Sequence, residues 1–397
     1  MRFMLRGARL VDASTDLEVG DVLVEAGALG AVADSLPDAG SEITTVNLDG
    51  MIITPGFLDI HTHGGGGFNL HTSDPSEIAA YAQWAPSTGL TSFLIAVVGT
   101  PDALPTHQLE AAVVACERQG AGAEPVGIYL EGPYINVDRR GAHMASWLRR
   151  PDLDETNELL ALSSGHLRLI TIAPELPGAS PVISRLVEAG VTVSIGHSDA
   201  TFEQTLEAIE LGITHVTHCC NAMRPLLHRE PGPLGAVALS SRVMGELIAD
   251  GVHVHPAMLA IVNKSLGNDR TIVITDAQAA AGKEDALFEF AGQPAHIERG
   301  AARLADGTIT GSVLTMDQAL RNTLRMMRVS LSSAVGMLTL NPARSIHVDD
   351  RKGRLRPGYD ADFLLFSPDL TLQATFCRGQ LTYATDEWRA RLAGLPR

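Results

Sequence analysis

Eight times between Gly56 and Ala277 the chain passes through a short, mostly apolar run, then a turn, then a longer segment with helical spacing. The runs are GFLDIHTH, TSFLIAVV, VGIYLEG, LRLITIAPE, VTVSIGHS, ITHVTHC, GELIADG and TIVITDA. Continuous apolarity suits strands buried on both faces, the environment of a parallel sheet. Segments such as TFEQTLEAIELG and PAMLAIVNKSLG carry apolar residues at helical intervals and end in Gly. Eight such units are the count for a (β/α)8 barrel. A doubly wound sheet competes, but no GxGxxG follows the first run and the sequence holds no Walker-type loop.

Both ends read differently from this middle. RFMLRGARLVDA and GDVLVEAGALGAVA are rich in Val, Leu and Gly without a helical stripe, and GRLRPGYDADFLLFSPDLTLQATFCRGQLTY breaks strand-like runs with Pro-Gly and Asp. The expected fold is therefore α/β: a (β/α)8 TIM-like barrel over residues 55–345, with a small β-sandwich-like domain assembled from residues 1–54 and 346–397. The 397 residues are 45% hydrophobic, too apolar for a disordered chain. Thirty basic against 46 acidic residues leave a net charge of −16, which argues against nucleic acid or an anionic membrane as a partner. No run reaches the ~20 apolar residues of a membrane span, and four cysteines are too few for a disulfide scaffold. A soluble, cytoplasmic protein is expected.

The chemistry lies at the ends of the apolar runs. His61, His63, Glu131, His197, His218 and Asp276 each sit at or just past the end of one. In a barrel these ends converge on the face where active sites are built. His61 and His63, two apart on a strand, point the same way. Convergent imidazoles and carboxylates suit a catalytic divalent ion with one position open for water: Zn²⁺ first, with Fe²⁺ or Co²⁺ accepted by the same ligands. Any one of these residues alone reads as an ordinary polar strand end; the constellation does not. Gly64 to Gly67 read as a sharp loop rather than a phosphate cradle, and Cys219 and Cys220 as small buried apolar residues rather than ligands. Arg229 in HREPG places a cation just past the sixth run, either as a solvated loop arginine or to hold an anionic part of a substrate. Lysine occurs only at 264, 283 and 352, so no bridging lysine stands on the fourth strand.

The motifs PGFLDIHTHG, YLEGPYIN, RRGAH, SIGHSDA, THCCNAM, HREPG, ADGVHV, ITDAQAAAG and GSVLTMDQALRN follow one another in an order that resembles the N-acetylglucosamine-6-phosphate deacetylases of the amidohydrolase superfamily. The resemblance spans roughly residues 50 to 345. It implies that Glu131, His197 and His218 hold a principal metal, and that His61 and His63 hold a second, giving one or two ions per subunit. Asp276 would be the general base and acid, and His143 would polarise the acetyl carbonyl. Asn221, Ala222, His253 and Arg229 would bind the sugar phosphate, and Met316 would shape the sugar site. In such relatives the arginine comes from the neighbouring subunit, so a homodimer is implied.

The mechanism expected is attack of a metal-bound hydroxide on the amide, with Asp276 taking a proton from water and returning it to the leaving nitrogen. N-acetyl-D-glucosamine 6-phosphate would yield D-glucosamine 6-phosphate and acetate, a step of amino sugar metabolism. The rivals are an N-acetylgalactosamine-6-phosphate deacetylase, a D-aminoacylase-like amidase, and a non-catalytic metal-binding protein on the same barrel. Asp276 argues against the last, because a structural site has no need of an acid outside the ligand set.

Overall fold

The computed structural model describes residues 2–37, 43–101, 103–118, 120–283, 287–290, 293–298 and 300–396. Each of the eight apolar runs contains a strand: β1 (Phe57–Asp59), β2 (Leu90–Val98), β3 (Glu124–Glu131), β4 (Leu167–Ile172), β5 (Thr192–Ile195), β6 (His215–Val216), β7 (Met244–Ile248) and β8 (Thr271–Ile274). They pair in that order, every pair parallel. The Asp276 N–H donates to His61 O at 2.9 Å and the His63 N–H to Ala277 O at 2.8 Å. These bonds join the last strand to the first at the mouth of the barrel.

A helix follows every strand, from Pro75–Trp84 after β1 to Met316–Met327 after β8. Local chemistry sets where several begin. Thr201 and Gln204 form a capping box at the start of Phe202–Glu210, and the Asp152 side chain accepts from Asp154 N and Glu155 N ahead of Leu153–Leu162. The apolar faces of these helices pack on the outside of the sheet, with Val182, Ile183, Val237, Leu259 and Leu320 fully buried there. Inside the barrel, Ile60, Leu94, Leu169, Ile272 and Ile274 make a second core, closed by Ala343, Ile346 and Val348.

Strands from both termini share one eight-stranded sheet. Its junction is Ile52–Pro55, which runs parallel to Arg2–Val11 and antiparallel to Phe363–Phe366. Phe363 stacks on Phe376 with centroids 4.4 Å apart, over a core that includes Phe3, Leu5 and Trp388. One feature is absent from the sequence reading. Between β8 and helix Met316–Met327, the strands Leu287–Phe290, Gln293–Glu298, Ala301–Leu304 and Ile309–Ser312 form a separate antiparallel sheet. Among the described residues no helix is long and apolar enough to cross a membrane.

Candidate active site

Glu131 is the last residue of β3, while His197, His218 and Asp276 stand two residues beyond β5, β6 and β8. Those three share a backbone signature, with φ of 47°, 27° and 47°. Non-glycine residues adopt positive φ uncommonly, at a cost of order 1–3 kcal/mol each, and such strain gathers at functional sites. β1 ends at Asp59, so His61 and His63 sit on the loop beyond it rather than on a strand. Their rings nonetheless converge, with centroids 5.4 Å apart.

Glu131 is the hub. Its Oε1 lies 3.1 Å from His197 Nε2 and 3.3 Å from His218 Nε2, and those two nitrogens are 3.0 Å apart. Its Oε2 lies 3.2 Å from His63 Nε2 and 3.3 Å from His143 Nε2. Asp276 Oδ1 is 3.3 Å from His63 Nε2 and 3.6 Å from His61 Nε2. His197 Nδ1 faces the Arg139 carbonyl at 2.8 Å, which makes that nitrogen the protonated one and turns the Nε2 lone pair inward. Ligands about 2.0–2.2 Å from a tetrahedral ion are roughly 3.3 Å from each other. The spacing of Glu131, His197 and His218 suits that geometry. His61 Nε2 is buried, lies 3.5 Å from Glu131 Oε1 and 3.6 Å from Asp276 Oδ1 and, among the described residues, meets no hydrogen-bond partner. Two groups of donors lie close enough to hold a metal ion, His61, His63 and Asp276 in one and Glu131, His143 and His197 in the other, each with its ligand atoms within 4.8 Å of one another.

The electrostatics point the same way. Burial opposes ionisation of Glu131, yet His143 and His61 hold its carboxyl well below the usual range. Asp276 is likewise held down by His61 and His63 against its burial. His63 resists desolvation through Asp276 and Glu131 and rises to about 9, whereas burial lowers His143. Buried carboxylates here draw positive charge onto imidazoles, a charge that a divalent ion supplies instead.

Behind the mouth lies a layer that the sequence reading missed. Glu246 of β7 is fully buried, with Oε2 2.9 Å from His61 Nδ1 and 3.0 Å from the His218 N–H, which donates to it. Its Oε1 lies 3.0 Å from His215 Nε2, and His215 Nδ1 is 2.7 Å from Ser345 Oγ. Beside it, Tyr129, Thr171, Thr217 and Ser194 link hydroxyls at 2.6–2.7 Å. A carboxylate inside the apolar run GELIADG was the available clue, since an acid is rarely buried without partners.

A cavity of about 290 Å³ opens over these groups. His63, Glu131, His143, His197, His218, Asn221, Ala222, His253 and Asp276 all line it, together with Arg139 and residues Ile309, Thr310 and Gly311 of the additional sheet. His253 is braced by Asp250 at 2.6 Å. Two expected residues stand elsewhere. Arg229 is exposed on a loop outside the cavity, and Met316 is buried at the start of its helix, beside a separate small void. Cys219 is buried as expected, but Cys220, on the loop beyond β6, is exposed.

The Amidohydrolase family model matches residues 52–382. The chain is 34% identical over 381 residues to an N-acetylgalactosamine-6-phosphate deacetylase of Escherichia coli O157:H7, covering 96% of this chain and 99% of that one. It is 33% identical over 390 residues to an N-acetylglucosamine-6-phosphate deacetylase of Lysinibacillus sphaericus, covering 97% and 99%. A solved mutant N-acetyl-D-glucosamine-6-phosphate deacetylase from Mycobacterium smegmatis, in complex with N-acetyl-D-glucosamine-6-phosphate, superposes with a TM-score of 0.91 at 34% identity, covering 96% of this chain and all of that one. The chain belongs to the amidohydrolase family and is a hydrolase acting on an amide.

Proposed function

We propose that the protein deacetylates N-acetyl-D-glucosamine 6-phosphate, releasing acetate and D-glucosamine 6-phosphate. The observation that carries this reading is that the Asp276 carboxylate lines the same cavity as the Glu131–His197–His218 cluster and His143. Glu131, His197 and His218 would hold the principal divalent ion, Zn²⁺ first, and His61 with His63 a second. Such an ion supplies Lewis acidity and lowers the pKa of its water to ~7. Asp276, kept ionised by its histidine neighbours, accepts the proton of the attacking water and returns it to the departing nitrogen. His143 directs an imidazole N–H at the carbonyl oxygen, where negative charge develops.

Asn221, Ala222 and His253, which line the cavity, would hold the sugar phosphate, whereas Met316, beside a separate void, would act on the sugar site only indirectly. Arg229 cannot reach this cavity as its own loop stands, so its role requires the neighbouring subunit of a homodimer. Leu226 and Leu227, 48% and 52% exposed beside it, and Leu239 at 79% support a covered surface there. The four cysteines are all free, which supports the cytoplasm as the compartment.

The 34% identity to a galactosamine-type deacetylase favours one second reading, N-acetylgalactosamine 6-phosphate as the substrate. Bound-metal analysis with acetate release on both phosphorylated sugars and on plain N-acetylglucosamine decides among them. Fast acetate release from N-acetylglucosamine 6-phosphate by the metal-loaded protein is expected. Release only from the galactosamine sugar would move the assignment, and release from neither would end it.

A further inference from the structure

Glu246 has no task in the reaction proposed above, yet its buried carboxylate joins three parts of the site's frame. Its two oxygens meet three donors: His61 Nδ1 at 2.9 Å, the His218 backbone N–H at 3.0 Å and His215 Nε2 at 3.0 Å. Nothing of this carboxylate or of the His61 ring is exposed, so no water competes for these bonds. We propose that Glu246 is a positioning residue, which fixes the His61 ring with Nε2 toward the metal site and ties the His61 end of β1 to the His218 end of β6. The inference rests on the metal-dependent reading.

An imidazole carries one proton when neutral, and the partner of one nitrogen decides which atom is left to bind a metal. Glu246, an acceptor only, keeps that proton on His61 Nδ1. His61 Nε2 then offers a lone pair beside Asp276 and Glu131, where it has no hydrogen-bond partner of its own. His215 cannot serve as a ligand in this arrangement, because Glu246 occupies one ring nitrogen and Ser345 Oγ, at 2.7 Å, the other. It is a brace. The Ser345 carbonyl in turn accepts from Thr192 Oγ1 at 2.5 Å, anchoring the relay to β5. Glutamine at 246 removes the charge and turns one accepting oxygen into a donating amide, so one of the two rings must give up its N–H···O bond. Aspartate keeps the charge but is one methylene shorter.

The test titrates zinc into the metal-stripped full-length protein against a competing chelator, with no substrate present. Compared with wild type, E246Q should bind zinc at its weaker site 10- to 100-fold less tightly, the usual effect of losing an outer-shell partner. E246D should recover part of the loss. His215→Gln and Ser345→Ala, one and two links further back, should give smaller losses in that order, and they serve if E246Q fails to fold. A purely structural acid would lower the thermal midpoint of the metal-free protein and leave the zinc isotherm unmoved. Superimposable isotherms for wild type and every folded variant would overturn the proposal.

The outcome separates from that of the proposed function. A wild type that binds zinc but releases no acetate counts against the deacetylase reading alone. If wild type takes up no zinc, the metal-dependent reading fails, and nitrogen-15 spectra of the histidines in metal-free protein decide on Glu246. His61 held as the Nδ1–H form in wild type and mixed in E246Q supports positioning; the same form in both overturns it.

Discussion

Asp276 and its neighbours illustrate how little of a residue's role resides in its type. It is one of several buried acids, but its left-handed backbone turns it into the cavity and two histidines keep it charged. Asp276→Asn should keep the fold and at least one metal while lowering kcat by ~10²–10⁴, the range for loss of a general base. Near-normal turnover in a metal-loaded variant would remove Asp276 from the mechanism. His197 and His61 should separate in the same way. Replacing His197 takes away one vertex of the tight Glu131–His197–His218 triangle, so metal and activity should vanish together. Replacing His61 should leave one ion and partial activity, as metal counts on both proteins will show. Arg229→Met probes the phosphate. A hydrogen bond to a charged group is worth ~1.5–3 kcal/mol, so kcat/KM on the phosphorylated sugar should fall roughly 10- to 150-fold. Activity on the plain sugar should barely change, and an equal loss on both sugars would mark Arg229 as structural.

The additional antiparallel sheet acts as an element in its own right, because it brings Ile309, Thr310 and Gly311 to the cavity wall. It joins the end of β8 through Ser312, whose N–H donates to the Asp276 carbonyl at 2.7 Å and whose carbonyl accepts from the Gln278 N–H at 3.0 Å, and two side chains add to that hold. Gln278 Nε2 donates to the Thr310 carbonyl at 2.8 Å, and Gln293 Nε2 donates to the Ala142 carbonyl, next to His143, at 3.2 Å. A Cβ on Gly311 would approach Gln278 Nε2 to 2.7 Å, so the fit is close. Gln278→Leu leaves the Thr310 carbonyl without its partner, a cost of about 1–3 kcal/mol. Hydrogen exchange should accelerate across residues 301–312 while the barrel strands keep their protection. Unchanged exchange there would show that the sheet is held by other contacts.

Across the whole molecule, the barrel and the terminal sheet are joined through charge as well as apolar packing. Glu124, the first residue of β3, meets Arg351 and Lys352 at 2.7 Å each, and Lys352 also reaches Asp360 at 2.8 Å and Asp362 at 2.6 Å. Glu124 is only part-buried, and Arg351 and Lys352 keep Asp360 and Asp362 when it is lost, so Glu124→Gln should destabilise the protein by about 1–3 kcal/mol in urea unfolding, the worth of hydrogen bonds to charged groups. Burial disfavours the Glu124 carboxylate, but Arg351 and Lys352 prevail and draw its pKa down from 4.5 to about 2. A group with a depressed folded-state pKa stabilises fully above its unfolded value and loses that contribution as pH falls through the folded one. The stability gap between wild type and Glu124→Gln should therefore be constant at neutral pH and narrow from about pH 5 towards about pH 2. A gap independent of pH over that range would mean that Glu124 acts by shape rather than charge.

Hydrophobic periodicity by itself determined the barrel. Apolar runs such as TSFLIAVV have no stable home except between two layers of apolar side chains, and all eight became parallel strands in chain order. The main ligand-type residues were legible for the same reason, because the end of a buried run is where a polar side chain first meets the mouth of a barrel. Tertiary structure decided what periodicity cannot encode. That Glu246 sits behind His61 depends on the closing of β1 against β7 and β8 around one interior, a contact between residues 185 apart in the chain. The sheet over residues 287–312 was hidden because its short strands interrupt the passage from β8 to its helix without a distinct apolar pattern. Arg229, read as an anion holder past the sixth run, and Met316, implied at the sugar site by the resemblance, show the limit from the other side, since one stands outside the cavity and the other in the core. Local sequence sets which way a segment alternates; only the packed chain sets which side chains share a space.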